Sequence, residues 1–110
     1  MALTAKKLGV ITQLTATAAT LYQAPAATTT RVMELLMCNT DTVERTITVH
    51  FVTAAGTASA ANRVLSAMLI PAGGTVALSL NTVLATGDFI AALASAAAVV
   101  NLLCSGTELT

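Results

Sequence analysis

Apolar and polar side chains alternate along residues 43–53, and this period of two restricts how the segment can fold. Ile47 and Val49 fall on one side of the alternation, and Thr48 and His50 fall on the other. Successive side chains of an extended strand point to opposite faces, so the pattern predicts a strand with one buried face. Val, Ile and Thr fill the run, and their branched Cβ atoms suit a pleated sheet better than a helix.

Short runs of the same kind recur along the whole chain, separated by turn-forming residues. The predicted strands are residues 8–14, 18–23, 31–39, 43–53, 63–70, 75–80, 89–93 and 99–105. Residues 40–42 contain turn formers, so we expect strands 31–39 and 43–53 to pair as a hairpin. Strands at a spacing of about ten residues predict a single all-β domain, a jelly-roll-like β-sandwich of about eight short antiparallel strands.

A helix is the alternative for residues 91–103, because alanine is the strongest helix former. The segment has no polar stripe, and Val99 and Val100 followed by Gly106 favour a strand. We therefore expect a strand here.

Charge is unusually scarce in this chain. Charged residues make up 9% of it and hydrophobic residues 55%, against about 25% charged residues in ordinary soluble domains. The net charge is zero, which excludes the basic surface of a nucleic-acid-binding protein. Because charged side chains normally keep a domain surface from associating, we expect other protein to cover much of this surface.

Membrane insertion and secretion are considered because the mean hydropathy is +0.81. Lys6 and Lys7 precede a moderately apolar stretch, as in a signal peptide, but Gln13 and several threonines interrupt that stretch. Residues 89–104 are shorter than the ~20 residues that a spanning helix needs. We expect neither a signal peptide nor a membrane segment.

Strand 31–39 is apolar on both of its predicted faces. Two interpretations stay open: a central strand covered by loops, or a strand whose second face meets another subunit. On the second interpretation, the candidate partner contacts are Met33, Leu35 and Met37.

Lys6 and Lys7 are the only adjacent like charges. A solvated tail is the ordinary interpretation of such a pair. The alternative is that residues 1–7 form an N-terminal arm, preceding a sandwich of residues 8–110, and that the two lysines contact a neighbouring chain. We take Lys6 and Lys7 as further candidate partner contacts.

Residues capable of chemistry are few and scattered. Cys38 and Cys104 have no neighbouring Cys or His that would make a zinc site, so they are expected to be buried thiols, with a disulfide as the alternative. His50 has no carboxylate at a spacing that would orient it, and is expected at a surface or an interface. Asp41 and Asp88 lie in turns. We expect no enzyme activity, no catalytic or metal-binding residues, no cofactor and no small-molecule substrate.

Four sequence blocks resemble a group of small virion proteins of tailed bacteriophages. They are LYQAPA at 21–26, ELLMCNTD at 34–41, LIPAGGTVALSLNTVLATGDFIAA at 69–92 and VVNLLCSGTELT at 99–110. The blocks are turn and core patterns without active-site signatures. The resemblance implies a β-sandwich subunit that decorates or cements the particle or belongs to its appendages.

The leading hypothesis from the sequence is a capsid decoration or cement protein that stabilises the phage head. Its expected partners are the major capsid protein and copies of itself, as a trimer or a dimer, without nucleic acid or membrane. Its expected location is the virion, after synthesis in the bacterial cytoplasm. The alternative is a sandwich module of the tail or fibre that attaches to the host surface.

Overall fold

The computed structural model describes residues 3–8 and 12–110, which form nine strands and one short 3-10 helix. The strands are β1 (Leu3–Lys7), β2 (Thr12–Gln13), β3 (Ala19–Gln23), β4 (Thr29–Asn39), β5 (Arg45–Val52), β6 (Arg63–Ile70), β7 (Thr75–Leu84), β8 (Phe89–Ala94) and β9 (Val100–Leu109). The helix covers Ala60–Asn62, just before β6.

Two antiparallel sheets pack face to face. Sheet I has the order β1-β9-β4-β7, with β2 beside β1 on the same edge of β9, and sheet II has the order β3-β8-β5-β6. From β3 to β9 the chain passes between the sheets after most strands, which is the connectivity of a jelly roll. The predicted all-β jelly-roll sandwich is confirmed.

The core fills the space between the sheets with side chains that alternate along each strand. β9 shows this period of two over its whole length. Fully buried residues come from both sheets: Val32, Leu35, Met37, Ile47, Val49, Ile70, Ile90, Val100 and Leu102.

The predicted hairpin of strands 31–39 and 43–53 is wrong, because β4 belongs to sheet I and β5 to sheet II. The connecting segment crosses from one sheet to the other. Asn39 is fully buried at the start of this crossing. Its side-chain amide donates to the carbonyl oxygens of Val43 at 2.9 Å and Ile70 at 3.0 Å. Two neighbouring runs of alternation therefore predicted two strands correctly but not their pairing.

The predicted N-terminal arm is not separate from the sandwich. Leu3–Lys7 forms β1, which pairs antiparallel with β9. Lys7 lies opposite Ser105, and Leu3 lies opposite Leu109. Met1 and Ala2 of that arm, and residues 9–11 of predicted strand 8–14, lie outside the described residues. The boundary between residues 7 and 8 therefore divides one edge of sheet I rather than two structural units.

Residues 91–103 contain the end of β8 and the start of β9, with bends and turns at 95–99, so the preference for strand over helix is confirmed. The predicted strands 75–80 and 99–105 both continue further, to Leu84 and Leu109. Within the described residues, no helix is long and apolar enough to cross a membrane.

Candidate interaction surface

The outer face of sheet I, which points away from sheet II, carries large apolar side chains in solvent. Leu3 of β1 is 71% exposed, Met33 of β4 is 42% exposed and Val83 of β7 is 59% exposed. Together with Arg31 and Leu109 they line a groove of about 360 Å³. Scattered apolar side chains are normal on a protein surface, but a contiguous group on one face is typical of a contact surface.

A β-bulge at Met33 brings this side chain to the outer face. Val32 pairs with Gly106 and Glu34 pairs with Ser105, so β4 has one residue more than β9 at this point. The extra residue changes the phase of the alternation. Val32 and Leu35 are therefore both buried, while Met33 between them is exposed.

Gly106 allows the two strands to approach at the bulge. A Cβ atom at this position would lie 2.0 Å from the carbonyl oxygen of Arg31 and 2.9 Å from a methyl carbon of Leu8. No side chain fits in that space, so this position requires glycine. Gly106 therefore lies within β9, and the strand continues past it to Leu109.

The bulge places the three predicted contact residues of strand 31–39 on different faces of β4. Met33 lies on the outer surface, but Leu35 and Met37 are 0% exposed and belong to the core. Strict alternation predicted all three on one face, and the bulge between Val32 and Glu34 removes that relation. Leu35 and Met37 are therefore not available to a partner in this fold.

The residues missed by sequence reasoning are Arg31, Val83, Leu3 and Leu109. Arg31 and Val83 are directly opposite each other, and so are Leu3 and Leu109. They come from four strands that only the tertiary fold brings together. A pattern within one strand does not reveal such a group.

Lys6 and Lys7 point to opposite faces of β1. The ammonium of Lys6 lies 3.1 Å from a carboxylate oxygen of Glu108, whose side chain is largely buried between the sheets. Lys6 is therefore engaged within the chain. Lys7 is exposed and pairs with Ser105, and its contact with a partner stays a prediction.

Glu108 is the centre of a buried polar cluster at this end of the sandwich. The Tyr22 hydroxyl donates to Glu108 and lies 2.8 Å from the hydroxyl oxygen of Thr30. The hydrogen bond from Tyr22, supported by Lys6, lowers the pKa of Glu108 below its ordinary value. Burial, and then the hydrogen bond to Glu108, raise the pKa of Tyr22 to about 12. The carboxylate is thus held ionised inside the sandwich and ties β1, β3, β4 and β9 together.

The edge of sheet I at β7 presents unpaired backbone groups. The amide of Asn39 donates to the carbonyl of Gly74 at 2.9 Å, and Cys38 pairs with Thr75. In an antiparallel pair the residues that bond across the ladder alternate with residues whose N–H and C=O point away. The backbone groups of Thr75, Ala77 and Ser79 therefore point outward, where no strand of residues 3–8 or 12–110 pairs with them.

The outer face of sheet II differs, because the chain's own loop covers part of it. His50, expected at a surface or an interface, is only 3% exposed. Its Nδ1 lies 3.0 Å from the Ser59 carbonyl oxygen and 3.0 Å from the Asn62 side-chain oxygen. Asn62 also donates to the Thr57 carbonyl at 2.8 Å. His50 is therefore a structural contact under residues 53–62.

The cysteines and acidic turn residues have structural environments. Cys38 and Cys104 are both free. Burial raises the pKa of the Cys104 thiol to about 12, which keeps it protonated and unreactive. Asp88 accepts from the amides of Ala54 and Ala85, each at 3.0 Å, as expected of a turn residue. In the described part of the chain, no three His, Cys, Asp or Glu side chains group into a metal site.

Comparisons with known proteins give a fold relative and no family. No family model matches the sequence, and no curated protein matches it. A solved chain described under Bacillus endospore appendages, a family of disulfide-linked pili, superposes with a TM-score of 0.58 at 18% identity. The match covers 98% of this chain and 88% of that chain. At this identity the likeness establishes a shared fold.

Proposed function

We propose that this chain is a structural subunit of a larger protein assembly, in which the sheet edges of neighbouring copies pair. The observation that carries the proposal is the free edge of β7. It is ten residues long and has no charged residue and no proline. Soluble proteins protect their edges with charges, proline, short strands or bulges, because an open edge is a template for another strand.

The other free edges are better protected: β1 is only five residues long and contains Lys6 and Lys7, and register shifts interrupt the pairing of β3 and of β6. β3 nevertheless has no charged residue, and β6 has only Arg63 at its first position. The pairing of β7 with β4 is irregular between Val32 and Glu34 of β4. The outward-pointing backbone groups of Thr75, Ala77 and Ser79 all come before this irregularity in the chain. Pairing between two different edges would be head-to-tail and would build rings or filaments.

The finer setting follows from two sources of likeness. The sequence blocks resemble phage virion proteins, which supports a capsid decoration or cement protein on the head shell, with the major capsid protein as partner and a trimer or dimer as the unit. The fold relative from spore appendages supports assembly into a fibre. Both settings need a subunit with a low-charge surface and open edges, and the proposal assigns it no catalytic activity.

Host-surface attachment by a tail or fibre module has less support. Sugar-binding sites stack ligands on aromatic rings, and this chain has one Tyr, two Phe and no Trp. Tyr22 is buried, and Phe51 and Phe89 are half-buried. No exposed ring is therefore offered to a glycan.

The proposal is tested by sedimentation and negative-stain electron microscopy of the purified chain and its Ala77→Pro variant. The Ala77 amide points away from β4, so proline there removes an edge donor and leaves the internal ladder intact. We expect the natural chain to form rings or filaments and Ala77→Pro to lose them. The matched control is Ala97→Pro in the exposed turn before β9, which should assemble normally.

Assembly by the natural chain and by Ala77→Pro alike would overturn edge pairing at β7. A natural chain that stays monomeric at every concentration, with and without phage shells, would overturn the structural role itself. Immunogold labelling of intact phage particles then separates the settings: label over the head supports decoration, label on the tail supports the attachment module, and unlabelled particles favour an appendage.

A further inference from the structure

We infer that the outer face of sheet I packs against the same face of a second copy, as a two-fold dimer centred at Met33. This contact is different from edge pairing, which uses backbone groups of β7 and does not require this face. It therefore goes beyond the proposed function, and either contact can exist without the other.

The first argument is the order of side chains along β4. On the outer face, Arg31 is exposed and Glu34 is half-buried, on either side of the bulged Met33. The salt bridges within residues 3–8 and 12–110 are Lys6–Glu108 and Arg45–Asp41, and neither involves Arg31 or Glu34. A positive and a negative side chain are thus available side by side on one strand.

A two-fold axis perpendicular to β4, passing between these two charges, places the strand antiparallel over its copy. Arg31 of each copy then lies over Glu34 of the other, and the two Met33 side chains meet at the axis. Such reciprocal contacts are characteristic of an isologous interface. The alternative axis, parallel to β4, would place Arg31 over Arg31 and is disfavoured by repulsion between like charges.

The second argument is the match of neighbouring rows across the sheet. On β9, Thr107 pairs with Arg31, and Ser105 pairs with Glu34, so the same axis brings Thr107 over Ser105 of the copy. One row further out, it brings Leu109 over Leu103. On β9, polar positions therefore meet polar positions and apolar positions meet apolar positions, while on β7 the same axis brings Val83 over Ser79.

The third argument is size. Four strands spaced about 4.8 Å apart, over about eight residues of about 3.3 Å each, give a footprint of about 500 Å² per copy. Two such faces bury about 1,000 Å², which is the lower limit for a specific interface. Facing sheets pack about 10 Å apart, a gap that Leu, Met and Arg side chains fill from both sides.

The test uses the Ala77→Pro variant as background, so that edge assembly does not obscure the dimer. Sedimentation velocity is measured for four chains: the background, Arg31→Glu, Glu34→Arg, and the double reversal. We expect the background to sediment at twice the 11.1 kDa of one chain. Each single reversal should raise the dissociation constant about tenfold or more, because like charges then face each other.

The double reversal should restore the dimer, since each pair again joins opposite charges. Arg63→Gln is the control, because it removes an exposed charge from β6 of sheet II, away from the proposed dimer face, and it should leave the dimer intact. Circular dichroism confirms that every variant is folded.

A monomeric background overturns the inference, and so do single reversals that leave the dimer unchanged. A double reversal that is folded and monomeric also overturns it, because restored pairs then fail to restore binding. These outcomes are independent of whether the natural chain forms rings or filaments, so failure of the dimer and failure of edge assembly are distinguishable.

Discussion

On the outer face of sheet II, loop 53–62 lies over His50, whereas on sheet I nothing in the described residues covers Met33. His50 is polar and 3% exposed, and Met33 is apolar and 42% exposed. This reverses the usual relation between polarity and exposure. A polar side chain sealed by its own chain serves the fold, while a group of apolar side chains left in solvent on one face is typical of a contact surface. The difference separates the covered centre of sheet II from the open centre of sheet I; at its β6 edge, sheet II also leaves Val64 and Leu69 52% exposed.

The comparison depends most strongly on the bulge in sheet I. Replacing Gly106 by Ala puts a Cβ 2.0 Å from the Arg31 carbonyl oxygen, so β4 and β9 must separate at the bulge. We expect a loss of about 3 kcal/mol in the free energy of unfolding, the size of a severe overpacking effect. Urea unfolding measures it, with Ser105→Ala on the same strand as control. Equal stability of the two variants would contradict the close approach that positions Met33.

The next largest loss of stability should come from loosening loop 53–62, which covers part of the outer face of sheet II. Asn62→Ala removes the oxygen that lies 3.0 Å from His50 Nδ1 and the donor to the Thr57 carbonyl. We expect a loss of about 1 kcal/mol in the free energy of unfolding, because His50 Nδ1 keeps only its Ser59 contact and the loop loses its hydrogen bond to the Thr57 carbonyl. Hydrogen exchange should accelerate in residues 53–62. The control is Asn81→Ala on exposed β7, and matching exchange in both variants would show that Asn62 does not hold the loop.

The sequence predicted the strands well because alternation is local. The period of two in β5 places Ile47 and Val49 in the core as expected, and residues 63–70 match β6. Sheet membership was not predictable in the same way. Whether β4 pairs with β5 or crosses to the other sheet depends on Asn39, whose amide bonds the carbonyl of Ile70 across 31 positions of the chain.

The interaction surface was only partly predictable. Met33 was found from its apolar strand, but the bulge that separates it from Leu35 and Met37 arises from the approach of Gly106 on a distant strand. A bulge of this kind leaves no mark in the alternation of β4 itself. Val83 and Leu3 join Met33 through strand order alone. The cover over His50 is likewise a tertiary contact.

The smallest effect at neutral pH concerns the polar cluster that ties β1 to the sandwich. Tyr22 has a folded pKa of about 12, raised from 10.0, so its contribution to stability is complete below pH 10 and disappears between pH 10 and 12. Tyr22 is the only tyrosine, and its ultraviolet absorbance reports ionisation directly. We expect a midpoint near 12 in the folded chain and near 10 in urea. A midpoint near 10 in both would contradict burial of this hydroxyl against Glu108.

The contrast between the two outer faces is tested most directly by cross-linking introduced cysteines with a thiol-reactive reagent that spans about 10 Å. Met33→Cys and Leu69→Cys are each made in a Cys38→Ser background. Leu69 is the matched position, since it is 52% exposed on β6 and belongs to sheet II. With this reagent Met33→Cys should give a dimer on a denaturing gel, because the two-fold axis places the two cysteines opposite each other across a gap of about 10 Å, and Leu69→Cys should stay monomeric. A monomeric Met33→Cys, or equal cross-linking of both variants, would contradict the assignment of the sheet I face as the contact between copies.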